Sequence, residues 1–275
     1  MDNAPIGIFD SGLGGLTVAR AVIDKLPDEE VVYLGDTRHT PYGPRPVAQV
    51  RTYTLACLDQ LASMGVKALI IACNTATAAA LADARERYWV DAGIPVIEVI
   101  TPAARQAVTA TRNGRIGVIG TRATIQSEAY SHVLAAVPGL SLTQRECPRF
   151  VEFVEAGITT GAELEAVATQ YLAPLKEAGV DTLVLGCTHY PLLTGVIGRV
   201  MGEEVALVTS SEATANLTYN ELVDRDLLHE PRGGASPRHQ FYSTGGSGDF
   251  GRLARRFLGP EVSSVRTMDV EGGAL

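Results

Sequence analysis

The sequence predicts an α/β protein made of two similar halves, each built on a parallel sheet, with the strand ends of both halves facing a shared cleft. Two observations carry this reading. Short β-branched runs alternate with longer amphipathic ones, the pattern of βαβ units. Two strand-turn-helix corners also recur in the same order: IGIFDSGLGG from Ile6 is echoed by IGVIGTRATI from Ile116, and ALIIACNTATAAAL from Ala68 by TLVLGCTHYPLL from Thr182.

Taken in order, the apolar run 6–9 predicts a strand and the amphipathic run 16–25 its helix. The pattern repeats as 31–34 with 46–63, 68–72 with 75–88, and 96–99 with 102–111. It continues as 116–119 with 125–136, 182–185 with 192–201, and 206–208 with 212–226. The segment HEPRGGASPRH, rich in Pro and Gly, reads as an exposed connection. A strand at 240–243, a helix near 248–258 and a frayed tail, EGGAL, follow. The first repeat unit ends before the apolar run leading to Gly114, and the last elements come after the second unit. This divides the chain into one domain of residues 1–98 plus 210–275 and another of 99–209, with crossings near 98–101 and 208–211.

Composition narrows the function. With 275 residues, 46% hydrophobic and 20% charged, the chain has the make-up of a globular protein, and no apolar run is long enough to span a membrane. The opening MDNAPIGIFD carries no signal-peptide pattern, so a cytoplasmic location is expected. A net charge of -8 argues against a nucleic-acid footprint. It does not argue against a small anion, which backbone N–H groups at helix starts can hold. Cys57, Cys73, Cys147 and Cys187 show no CxxC spacing and read as free thiols, and the five histidines form no ligand-spaced set, so no metal is expected. Only Lys25, Lys67 and Lys176 are present, none at a strand's carboxyl end, which leaves no lysine for a pyridoxal phosphate Schiff base. The expected cofactor is none.

In open parallel sheets, ligands bind outside the carboxyl ends of the strands. Asp10, Ser11, Cys73, Thr121 and Cys187 all fall there. Cys73 and Cys187 each follow a strand and precede polar residues, at corners where N–H groups and a helix dipole are expected to lower a thiol pKa. Cys57 and Cys147 read as buried structural thiols. Asp10 either caps a helix or handles an ammonium or a proton, beside glycines that let a ligand approach the backbone. The spacing there is not GxGxxG, since Thr17 replaces the third glycine. His189 reads either as a helix cap or as an acid that assists Cys187. In GDTRHTPYGPRP, Asp36, Tyr42 and Gly43 lie at the carboxyl end of the second strand, on the cleft side, and Glu155 reads as a solvated helix charge or a site residue.

Two thiols facing each other suit removal of a proton from one face of a carbon and its return to the other. The motifs IGIFDSGLGG, GDTRHTPYG, ACNTATA, GVIGTRAT, CPRFVEFVEAG and LGCTHYPLL together resemble the cofactor-independent glutamate racemases of the aspartate/glutamate racemase superfamily, over nearly the whole chain. The resemblance implies two pseudosymmetric flavodoxin-like domains enclosing L- or D-glutamate, and a role in peptidoglycan synthesis. It implies that Cys73 acts on the D-isomer and Cys187 on the L-isomer, assisted by Asp10, His189 and Glu155; the last of these lies in a motif with Glu152 where the family pattern has proline. It pairs Asp10-Ser11, Tyr42-Gly43, Asn74-Thr75 and Thr188-His189, together with Thr121, as substrate contacts. Racemisation of another acidic amino acid, and an added DNA gyrase-binding role, are the alternatives; a homodimer is compatible with both, and no membrane partner is implied.

Overall fold

Strands that are apolar at successive positions must be covered on both faces, which a parallel sheet flanked by helices provides. The computed structural model describes residues 1–246, 250–251, 254–255, 258–262 and 264–270. The first part runs β1 (Ile6–Asp10), α1 (Leu16–Lys25), β2 (Val31–Gly35), α2 (Val47–Ser63), β3 (Ala68–Ile71), α3 (Asn74–Ala84), a π turn (Arg85–Val90), β4 (Val96–Glu98) and α4 (Ile100–Ala110). It continues with β5 (Arg115–Gly120), α5 (Arg122–Gln126), α6 (Ala129–Leu134), β6 (Ser141–Glu146), α7 (Arg149–Glu155), α8 (Ala162–Glu177) and β7 (Thr182–Gly186). A 3-10 turn (Tyr190–Leu193) leads to α9 (Thr194–Met201), β8 (Ala206–Thr209), α10 (Ser210–Asp224), β9 (Gln240–Ser243) and β10 (Val265–Thr267).

Among the described residues the strands form two sheets, ordered β10-β9-β2-β1-β3-β4 and β6-β5-β7-β8. Every pairing is parallel, and the central strands β1, β2, β3 and β7 are buried at each position. The predicted class, two parallel-sheet α/β halves, is the one observed. β1 lies between β2 and β3, and β5 between β6 and β7, so the two corners that repeat in sequence occupy matching places. One apolar cluster runs through both halves, joining Ile8, Val18 and Ile100 to Val118, Val184 and Val208. Separate clusters cover the far face of each sheet, around Phe150 and Leu172 in one and Leu58 and Ile71 in the other.

Several elements depart from expectation. The predicted helix 125–136 is two helices, broken where Glu128 takes a left-handed φ of 55°. The helix expected at 192–201 opens as a 3-10 turn and becomes α only at Thr194, so the CTHYP corner does not start an α-helix. The strand β6 and the helix α8 were not predicted: SLTQRE is a polar edge strand with no position fully buried. Part of the predicted 248–258 helix, and the whole EGGAL tail, lie outside the described residues. At the crossing between sheets, the buried Glu98 carboxylate accepts from the N–H groups of Ile100 and Thr101 at 2.6 and 3.0 Å, capping α4 where a helix N-terminus favours negative charge.

At the end of the first sheet away from the cysteines, Lys67 and Glu29 form a buried ion pair of 2.6 Å, with side-chain exposures of 0% and 2%. Lys67 also donates to the Asp2 carbonyl, and Glu29 accepts from the His229 N–H, so the pair gathers four separate stretches of chain. Removing one partner of such a pair leaves a lone buried charge. We expect Lys67→Met to lower unfolding stability by about 3–5 kcal/mol in urea titrations, and the double replacement Lys67→Met with Glu29→Leu to recover most of it.

Candidate active site

The corner after β3 is built by the chain's own polar groups. Cys73 takes the N-cap position of α3 in extended geometry, and its sulfur accepts from the Ala76 N–H at 3.4 Å. Cys73 donates in turn to the Ser11 hydroxyl at 3.3 Å, which ties the β1 and β3 corners together. After β7, Cys187 lies 3.8 Å from His189 Nδ1, and His189 Nε2 lies 3.6 Å from the Glu155 carboxylate.

The two corners meet at a glycine. A Cβ on Gly14 would sit 2.6 Å from His189 Nδ1 and closer still to Thr188 Oγ1, so only glycine lets the first-sheet loop pack there. A second contact is a ring of hydroxyls: Thr75 reaches Thr121 at 2.9 Å and Thr124 at 3.2 Å, while Thr121 and Thr124 are 3.1 Å apart. Thr75 belongs to the first sheet's corner and the other two to the second's.

Between these contacts lies a cavity of about 260 Å³. Ser11, Tyr42, Gly43, Cys73, Asn74 and Thr75 line it from one side, and Thr121, Glu155, Cys187, Thr188 and His189 from the other. Asp10 is fully buried and does not line it; its Oδ2 accepts from the Gly12 N–H at 2.9 Å, and Oδ1 has no hydrogen-bond partner. Asp10 does not cap α1, whose N-cap is Gly15. Asp36, expected on the cleft side, is buried away from the lining at 1% exposure. Glu155 stands at the rim with its side chain 42% exposed. Sequence reasoning passed over Arg122 and Glu152, which also line the cavity. Arg122 directly follows Thr121 in GTRAT, the one signal that pointed to it.

Asn74 is oriented from across the cleft. Tyr130, fully buried on α6, donates to Asn74 Oδ1 at 2.8 Å, leaving the buried Nδ2 without a partner at the cavity wall. An amide N–H₂ presented this way is a ready donor to a carboxylate. Arg122 and His189 are the cationic side chains among the lining residues, and the other donors to an anionic ligand here are N–H and hydroxyl groups.

The expected lowering of the Cys73 pKa is reversed. Burial, followed by the nearby Asp10 charge, pushes it up to about 12, outweighing the Ser11 and Ala76 hydrogen bonds. Asp10 is also raised, by its own burial, against the opposing pull of His189 and the backbone N–H groups. For His189, burial disfavours the charge, but Cys187, Glu155 and Asp10 together outweigh it and lift the pKa to about 10. The free site thus holds a neutral Cys73 thiol and a His189 imidazolium at neutral pH.

His189 therefore contributes stability that is complete below its ordinary value of 6.5 and is lost as pH rises through about 10. Imidazole ¹⁵N spectra should show His189 protonated at pH 8, and Cys187→Ser should move its titration to lower pH. A neutral His189 at pH 8 in the unmodified protein would contradict this electrostatic picture.

Comparison with known proteins places the chain. A family model described as Asp/Glu/Hydantoin racemase matches residues 16–218. The glutamate racemase of Beutenbergia cavernae is 63% identical over 272 residues, covering 96% of this chain and 93% of that protein. Among solved structures, a glutamate racemase isoform from Bacillus anthracis superposes with a TM-score of 0.92 at 39% identity, covering 98% of this chain and 99% of the other. The Francisella tularensis glutamate racemase, solved in complex with D-glutamate, gives a TM-score of 0.90 at 33% identity, covering 98% and 99%. The chain belongs to the Asp/Glu/Hydantoin racemase family.

Proposed function

We propose that this protein is a glutamate racemase that interconverts L- and D-glutamate without a cofactor, using Cys73 and Cys187 as a pair of acid/base groups. The observation that carries this reading is that the two thiols line one cavity from the strand ends of opposed sheets. In the direction from D-glutamate, the Cys73 thiolate takes the α-proton, Cα becomes planar, and the Cys187 thiol delivers its proton to the other face. The reverse direction exchanges the roles, and each turnover leaves one thiol protonated and one ionised.

Ionising Cys73 is the first obstacle, since each pH unit below its pKa costs about 1.4 kcal/mol. The ammonium of a bound amino acid is a positive charge brought beside the thiol, and an opposite charge at that range favours the thiolate. Asp10, with its unpartnered oxygen, is suited to orient that ammonium or accept the thiol proton. On the other side, the His189 imidazolium, held charged by Cys187, Glu155 and Asp10 together, stands 3.8 Å from the Cys187 sulfur. The second obstacle is charge accumulating on the carboxylate as the α-proton leaves. Donors fixed in advance, namely Asn74 Nδ2, the Thr75 and Thr188 hydroxyls and the N–H groups opening α3, are suited to meet it. Ser11, Tyr42, Gly43 and Thr121 complete the proposed contacts to the two carboxylates.

The names of the relatives favour glutamate over another acidic amino acid and give no support to a gyrase-binding role. The biological reading is supply of D-glutamate for peptidoglycan. We propose the same chain division as the organising one, residues 1–98 plus 210–275 against 99–209; the return of β9 and β10 to the first sheet supports it.

Racemisation in heavy water tests the two-thiol reading. Deuterium should enter mainly the product enantiomer at early times, while recovered substrate stays protiated. Cys73→Ala and Cys187→Ala should each lose racemisation in both directions by about 10²-fold or more, because the acid of one direction is the base of the other. Product that keeps its α-protium, or a single-thiol variant with near-normal turnover both ways, would overturn it.

A further inference from the structure

The loop bearing Tyr42 and Gly43 is dense in Pro and Gly and starts directly from the end of β2, yet it forms one wall of the cavity. Something must hold it. Asp36, at the root of this loop, is a carboxylate with 1% exposure, and its oxygens are occupied by groups from three places. The Tyr42 hydroxyl donates to Oδ2 at 2.6 Å, from within the loop itself. His39 Nδ1 lies 2.9 Å from Oδ2 and 3.0 Å from Oδ1. The third donor is the Thr244 hydroxyl, 2.6 Å from Oδ1, which comes from just beyond β9.

Thr244 is part of a wider seam. Its hydroxyl accepts from the Arg38 N–H at 3.0 Å, its N–H donates to the Gly35 carbonyl at 3.0 Å, and Gly245 N–H donates to Thr37 Oγ1 at 2.8 Å. Thr37 and Ser243 hydroxyls meet at 2.6 Å. No described residue beyond His189 lines the cavity, so the segment 243–245 makes no contact with a ligand there. We propose that Asp36 is a positioning residue for glutamate binding, and that the segment Ser243-Thr244-Gly245 holds the Tyr42-Gly43 wall in place, Thr244 through Asp36 and its two neighbours through Thr37.

The physical case rests on acceptor count. A carboxyl group out of contact with water has to be met by hydrogen-bond partners, because an unmet polar atom there costs its full desolvation. The two 2.6 Å hydroxyl bonds supply such partners. Together they join the loop's middle and the end of β9 to a single fixed point at the end of β2. A loop fastened in advance presents its wall without the ordering cost that binding would otherwise meet. The end of β9 thereby influences a ligand it never touches.

This inference rests on the racemase reading for its substrate, and the test separates the two. Thr244→Val removes one donor to Asp36 and the acceptor for Arg38 N–H at nearly constant volume, outside the cavity lining. Its KM for glutamate should rise by about tenfold while kcat stays within about twofold, the signature of lost uniform binding. Thr244→Ser, which keeps the hydroxyl, should restore the KM. In the ligand-free protein, amide hydrogens of residues 38–45 should exchange faster in Thr244→Val than in the unmodified chain. If Thr244→Val does not fold, Tyr42→Phe removes the other hydroxyl donor and should raise KM and loop exchange alike. Unchanged loop exchange, or faster exchange with an unchanged KM, would overturn the proposal. Exchange is read with or without turnover, so an unmodified protein inert on glutamate condemns the racemase reading alone, while the exchange data still decide whether the brace exists.

Discussion

The rest of the structure depends on the contact between the two strand-end corners, where Gly14 packs against Thr188 and His189 without room for a Cβ. Each half carries its own flanking helices, and either sheet alone would leave its carboxyl ends open to water. The continuous apolar cluster through both halves holds the sheets together, and the approach at Gly14, the Thr75–Thr121–Thr124 ring and the Tyr130–Asn74 bond bring the two open ends around one cavity. Burial of the thiols and the proposed opposition of Cys73 and Cys187 both follow from that approach.

Enclosure sets the electrostatics. Burial raises Cys73 to about 12 and raises Asp10, while the cluster of Cys187, Glu155 and Asp10 holds His189 charged against the same burial. The two sides of the proposed mechanism are thus unlike: one thiol has a carboxyl group nearby, the other an imidazolium. Burial makes each of these interactions stronger than it would be in water, and makes an unpaired charge costlier. The cationic ammonium of an amino acid is the complement this arrangement lacks on the Cys73 side.

The fold was legible wherever strands are buried on both faces, because IGIFD, VVYLG, ALII and TLVLG leave no polar face to confuse the pattern. It was illegible at β6, an edge strand whose SLTQRE sequence meets solvent, and at Glu128, where a left-handed residue breaks a helix with neither glycine nor proline to announce it. At the site, the corner residues could be read because strand ends in parallel sheets collect ligands whatever the fold's details. The direction of the Cys73 shift could not. Local geometry at an N-cap favours a thiolate, and the sequence holds no measure of how completely the opposite half will bury it. Arg122 and Glu152 were missed for a related reason: they become cavity walls only once α5 and α7 of one half face the loops of the other.

The most direct measurement is a structure of the protein with glutamate in the cavity, solved at a resolution that fixes the hand at Cα. The account predicts Cα between the sulfurs of Cys73 and Cys187, one on each face, with the ammonium turned toward Asp10 and a carboxylate on Asn74 Nδ2. A complex in which both sulfurs approach the same face of Cα, or in which either thiol is turned away from it, would contradict the account.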